Sequence, residues 1–204
     1  MSVAKKLFDF CQKNYSCECQ NLNLLSDKID FFETDIKAID FDKLTQIIFG
    51  ISTDIIKPSS VDAIIFNNKI IFIEFKSLVK TIEQNQDDKK NIEKWDFDKK
   101  LEDSNFTLKH ISISKKLNLS KVDSKKLREL EKPYFVVIDS ELENNGIQNF
   151  LTSLEYLSNP LRLKTDKAVK ELESHIELMV STPYLISVNK INNILNVDNL
   201  CNLD

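Results

Sequence analysis

Val61-Asp62-Ala63-Ile64-Ile65-Phe66, then Asn67-Asn68-Lys69, then Ile70-Ile71-Phe72-Ile73-Glu74-Phe75-Lys76 is the stretch on which the fold of this chain turns. Both flanking runs are rich in Ile and Phe, residues that suit a pleated strand. The polar tripeptide between them reads as a hairpin turn, since Asn tolerates positive φ. Each run is apolar on both of its alternating faces, so both strands are expected in the middle of a sheet covered on both sides.

Working outward, residues 2–14 carry Val3, Leu7, Phe10 and Cys11 at helical spacing. Residues 36–51 carry Ile36, Ile39, Leu44, Ile47, Ile48 and Ile51 at the same spacing, with Asp40 or Asp42 as N-cap. Beyond the hairpin, residues 80–103 are densely charged, read as a solvated segment that turns helical toward its end. A helix follows over 104–118, a strand over 133–139, helices over 147–158 and 166–179, and a late strand over 184–188. This order predicts an α/β (α+β) fold: a mixed β-sheet flanked by helices, with additional C-terminal helices. The expected organisation is a single domain over 1–204, with a core at roughly 36–140 and a helical extension at roughly 145–204.

Composition removes several classes. The only glycines are Gly50 and Gly146, so neither GxGxxG nor a P-loop is present. The only histidines, His110 and His175, are too far apart for an HExxH zinc site. The net charge of −4 argues against a strongly basic coat protein. Arg128 and Arg162 are the only arginines against 26 lysines, so anion binding falls to lysine point charges. Cys17-x-Cys19 is too tight for a usual zinc pair, and Cys11 and Cys201 add no second pair at suitable spacing. With no long apolar run, the expectation is a cytoplasmic protein with reduced thiols and no membrane segment.

The chemistry lies in Asp62 and Glu74-x-Lys76. Glu74 and Lys76 share a strand face with apolar Ile70 and Phe72. A charge on a buried face must be paired or bind something. The turn decides whether Asp62 joins them. A two-residue turn sets Asp62 opposite Ile73, facing away; a three-residue turn at 67–69 sets it opposite Glu74, about 5 Å apart at Cβ. Two carboxylates so close repel unless a cation lies between them. Mg²⁺ suits such a pair, and Lys76 could then steady charge at a phosphate, a combination fit for phosphodiester hydrolysis. With Lys76 alone opposing two acids, the metal-free site is expected to be net negative, and Glu74→Ala is expected to relieve it.

Ser60-Val61-Asp62, eleven residues, then Glu74-Phe75-Lys76, on a hairpin after a helix, resembles the PD-(D/E)xK nuclease superfamily. The resemblance covers about residues 36–140. It implies a restriction-endonuclease-like fold in which Asp62 and Glu74 bind Mg²⁺ or Mn²⁺ and Lys76 assists the attacking water. It also implies that polar residues of the following helix contact substrate; Lys99, Lys100, Asp103 and Ser104 fall there. Val61 stands where the family often has Pro, and the family's helix-borne acid is left among Glu33, Asp35, Asp40 and Asp42.

Residues 109–128 hold seven Lys or Arg and the single acid Asp123, a local charge of +6. This is either a phosphate-facing patch or a solvated surface. The nucleic-acid-binding candidates are therefore Lys99, Lys100, Ser104, Lys109, Lys115 and Lys116. The partner expected is DNA before RNA, with a homodimer left open. The rival expectation is a nuclease-like protein that binds nucleic acid or a protein partner without cutting.

Overall fold

A computed structural model describes residues 2–26, 29, 34–50, 58–78, 80, 95–139, 160–177, 179, 182–195 and 199–202. Helix α1 (Val3–Tyr15) starts where the Ser2 hydroxyl accepts the Lys5 amide at 3.1 Å, satisfying one of the donors a helix start leaves open. Strand β1 (Cys19–Asn21) runs into a 3-10 turn (Leu22–Leu25).

Strand β2 (Lys37–Asp40) and helix α2 (Phe41–Phe49) take up the segment whose spacing suggests one helix over 36–51. Asp40 has extended backbone and caps the Lys43 amide at 2.8 Å, so the helix begins only after it. The residues before it pair with strands on either side instead. Helix α2 closes at Gly50, whose φ of 73° would strain a residue bearing a Cβ.

Strands β3 (Ala63–Phe66) and β4 (Ile70–Lys76) form the expected hairpin. The turn does not use positive φ at either Asn. The Asn67 side chain accepts the Lys69 amide at 2.6 Å, and the Asn67 amide donates to the Lys69 carbonyl at 3.1 Å, which closes a three-residue loop.

Helix α3 (Phe97–Ser112), with Asp96 at its N-cap, runs from the helical end expected of 80–103 into the helix expected over 104–118. Helix α4 (Lys121–Glu129) has no apolar stripe to announce it and buries only Leu127. A capping box between Ser120 and Asp123 starts it. Strand β5 (Tyr134–Ile138), helix α5 (Pro160–Glu177), strand β6 (Tyr184–Ser187), the short helix α6 (Ile191–Leu195) and a 3-10 turn (Leu200–Asn202) follow. The helix expected over 147–158 lies outside the described residues.

Among the described residues the strands form one six-stranded mixed sheet in the order β1-β2-β3-β4-β5-β6. The β1–β4 neighbours are antiparallel, and β4-β5 and β5-β6 are parallel. The parallel step from β4 to β5 needs a crossover, and α3 and α4 lie within it. The sheet draws on residues beyond 36–140: β1 on one side and β6, the late strand expected over 184–188, on the other.

Alternation splits the core in two. Ile64, Phe66, Ile70, Phe72, Val136 and Ile138 pack under α1, α2, α3 and α5 through Leu7, Phe41, Leu44, Phe97, Leu108 and Leu172. Ala63, Ile65, Ile71, Ile73, Phe75 and Val137 pack on the other face against Ile186, Ile191 and Leu195. Each fully buried Ile or Phe contributes about 1.5–3 kcal/mol, and cover on both faces explains why β3 and β4 carry no outward polar alternation.

Reduced thiols are not what the structure shows at two of the four cysteines. The sheet edge brings Cys19 on β1 to Cys201, and the two form a disulfide with a Cα separation of 5.6 Å. Cys11 and Cys17 are free and buried, and burial pushes Cys17 up to about 11, which keeps it a thiol. No helix among the described residues is long and apolar enough to cross a membrane.

Candidate active site

The hairpin register fixes where Asp62 faces. Ala63 pairs with Ile73, Ile64 with Phe72, Ile65 with Ile71 and Phe66 with Ile70. Continued by one pair, this register sets Asp62 opposite Glu74, on the same face. Asp62 is half-buried and locked at both ends. Its carbonyl accepts the Phe41 amide at 3.1 Å, and its Oδ2 accepts the Phe75 amide at 2.7 Å.

Glu74 is fully buried. Lys76 Nζ and Lys100 Nζ both lie 2.6 Å from its Oε1. Lys76 comes from the same strand face, two residues on, and its ammonium stands 5.6 Å from the centroid of the Trp95 ring, in cation–π range. Trp95 in turn packs edge-on against Phe97, the first residue of α3. Lys100, one turn into α3, is bound to Glu74. Two lysines, where one was expected, therefore lie on the Glu74 carboxylate.

The start of β3 is held by α3. Asp103 Oδ2 accepts the Ser59 amide at 2.7 Å, and Ser104 Oγ accepts the Val61 amide at 3.1 Å. Ser104 is fully buried, so it positions the strand that carries Asp62 and has no face for a substrate. The spacing of Lys100, Asp103, Ser104 and Thr107 as i, i+3, i+4 and i+7 is the signal that could have assigned them to one inward face.

Of the candidates for a helix-borne acid, Asp42 lies on α2. Its Oδ1 accepts the Ser60 hydroxyl at 2.8 Å and its Oδ2 the Gln46 amide at 2.8 Å. Asp40 is engaged in the α2 cap and Asp35 is exposed; Glu33 lies outside the described residues.

Tyr134, which the sequence marks only as part of a strand, adds to this face. It pairs with Phe72 on the Glu74 side, stacks edge-on against Phe97, and its buried hydroxyl has no hydrogen-bond partner among the described residues. Burial first, and then the charges of Glu74, Asp62 and Asp98, raise its pKa far above the ordinary tyrosine value, so the hydroxyl keeps its proton. Just past β4 and β5, Asp139 Oδ1 accepts the Leu78 amide at 2.8 Å and Oδ2 accepts the Ser77 hydroxyl, which joins the ends of the two parallel strands.

Lys99, Lys109, Lys115 and Lys116 are all exposed. Lys109 is nine residues past Lys100 on α3, about 13 Å along a helix rising 1.5 Å per residue. The Ile70 amide donates to the Glu131 carbonyl just after α4, so that helix ends by the hairpin end of β4, away from Glu74. Lys109 and the end of α4 thus lie away from Glu74.

Among the described residues no group of three or more His, Cys, Asp or Glu is set to hold a metal ion. The two carboxylates on one face still fit a hard divalent cation, which needs one or two and keeps its waters. The fold already gathers positive charge at Glu74, one of the two carboxylates that would hold such an ion. No family model, curated protein or solved structure matches the chain.

Proposed function

We propose that this protein is a metal-dependent endonuclease of the PD-(D/E)xK type that hydrolyses phosphodiester bonds in DNA. The observation that carries the reading is the three-residue hairpin register, which sets Asp62 and Glu74 on one face with Lys76 on Glu74. Asp62 and Glu74 would hold Mg²⁺ or Mn²⁺, which supplies positive charge at the phosphate and a more acidic water. Lys76 is confined between Glu74 and Trp95, so its protons are presented from a fixed place without reorganisation. The Phe75 amide fixes the Asp62 carboxylate. The covered strand face keeps bulk water from the charged groups, which strengthens each interaction. DNA is the proposed partner, a homodimer and a cytoplasmic location go with the reading, and Lys99 is the exposed cation nearest the site in sequence.

The test is nicking of supercoiled plasmid with Mn²⁺, with and without chelator, for wild type and Lys76→Met. Wild type should cut only with Mn²⁺, and Lys76→Met should lose about 10²–10³-fold in rate. Equal cutting by both proteins would sink the assignment.

The two lysines on the fully buried Glu74 favour a second reading, a nuclease-like binding protein in which these charges are a structural ion cluster. Under that reading plasmid stays intact and melting is insensitive to divalent ions.

A further inference from the structure

Two ammonium nitrogens on one carboxylate oxygen is an unfavourable arrangement. Glu74 is fully buried and needs one counter-charge, which Lys76 supplies from its own strand at 2.6 Å. The second lysine, also at 2.6 Å, adds the repulsion of two cations and the desolvation of another ammonium. The two are not equivalent. Lys76 is the more buried, its side chain 10% exposed, and its charge is also held over Trp95. Lys100 arrives from a different element, its side chain is 17% exposed, and its long stem lets the charge move while the backbone stays.

We infer that Lys100 is a displaceable counter-ion: it occupies Glu74 Oε1 in the metal-free protein and gives that atom up when a divalent cation enters. This rests on the proposed metal-dependent reading and adds an order of events to it. In the metal-free protein Lys76 and Lys100 are both engaged with Glu74, so neither charge is offered to a phosphodiester. A divalent ion on the two carboxylates adds two positive charges, with Lys100 released beside it on α3. The anionic backbone of a nucleic acid is then attracted only after the cation is in place, and Lys100 is a positioning residue whose role changes with loading.

The competition is measurable without cleavage. The full chain is melted across a Mn²⁺ titration up to ~10 mM for wild type, Lys100→Met and Lys100→Arg, and apparent dissociation constants are taken from the stabilisation. Lys100→Met should bind Mn²⁺ about tenfold more tightly than wild type, because no ammonium has to leave. Lys100→Arg keeps the charge and should stay close to wild type. A second readout needs no variant: the Lys100 amine, followed by mass spectrometry, should acylate faster with an amine-reactive ester when Mn²⁺ is present. Mn²⁺ stabilising all three proteins with equal dissociation constants, or Lys100 acylation unmoved by Mn²⁺, would overturn the displacement and leave the metal-dependent reading standing. Melting insensitive to Mn²⁺ in all three would overturn both.

Discussion

At the first turn of α3, Lys100 is mostly covered and its ammonium lies 2.6 Å from a fully buried carboxylate. At the last turn of the same helix, and on through α4, Lys109, Lys115, Lys116, Lys121, Lys125 and Lys126 are exposed. The residue type is the same, and the low-dielectric surroundings of the first group make the difference. A charge pair there interacts several-fold more strongly than one in water, and losing one partner leaves a desolvated ion. The second group belongs to the regime in which single ion pairs are worth a few tenths of a kcal/mol. In a chain this rich in lysine, the count of lysines carries little information, and the burial of two of them carries most of it.

The largest break in that comparison is Glu74→Ala. Were one lysine opposite it, the substitution would relax the metal-free protein, as the sequence alone suggests. With two lysines on Oε1, it takes the shared carboxylate from both in a covered site, and the metal-free variant should lose about 3–5 kcal/mol in a urea titration. A variant as stable as wild type would mean that the lysines reach water once released. Next comes Ser104→Ala. The Val61 amide is left without its acceptor in a fully buried position, which costs about 1–3 kcal/mol, and the strand carrying Asp62 keeps only one of its two ties to α3. Equilibrium unfolding reads the first effect and the metal response of the melting curve the second.

How much of this is legible in the sequence follows the same division. The strands 61–66 and 70–76 stand out because each is a continuous run of Ile and Phe with no polar face. The pattern narrows the register to two choices, and the choice depends on a side-chain hydrogen bond, Asn67 to the Lys69 amide, that no pattern announces. Strand β2 is hidden inside a helical spacing, since Ile36, Ile39 and Leu44 fit a helix until Asp40 interrupts it. Helix α4 is hidden because it buries one residue. Asp62, Glu74 and Lys76 can be named because they are charges on apolar strands. Lys100 joining them is a tertiary fact, decided by how α3 crosses the sheet. The Cys19–Cys201 bond is another, since the two residues lie 182 apart in sequence.

A smaller effect tests the solvated side. Replacing Lys115, Lys116 and Lys121 by Gln should change stability by less than about 0.5 kcal/mol each. If the stretch touches nucleic acid, the triple variant should bind a labelled duplex with a shallower salt dependence, by roughly one unit of slope for each phosphate no longer neutralised. An unchanged slope would leave the strip as solvated surface and DNA binding to the α3 end alone.

The smallest effect concerns the one acid among those lysines. Asp123 Oδ2 accepts Lys6 Nζ from α1 at 2.7 Å, the Ser120 hydroxyl at 2.8 Å and the Ser120 amide at 3.2 Å. The hydrogen bond from Lys6, and then that from Ser120, hold its carboxyl down at about 2, below its ordinary 3.8. Because the folded value is the lower one, the unfolded chain takes up the proton first as pH falls. The contribution is therefore fully present above about pH 4 and disappears as pH drops from there through about 2. Asp123→Asn should remove that part of the acid dependence and leave the rest of the curve in place, measured as the difference in urea midpoint between pH 5 and pH 2.5. It should also loosen the docking of α4 on α1, seen as faster amide exchange over 121–129 at neutral pH. If wild type and Asp123→Asn lose stability in parallel across that pH interval, the Lys6 ion pair is as weakly held as the exposed lysines around it. The buried pairs on Glu74 would then stand alone as the electrostatic determinants of this face.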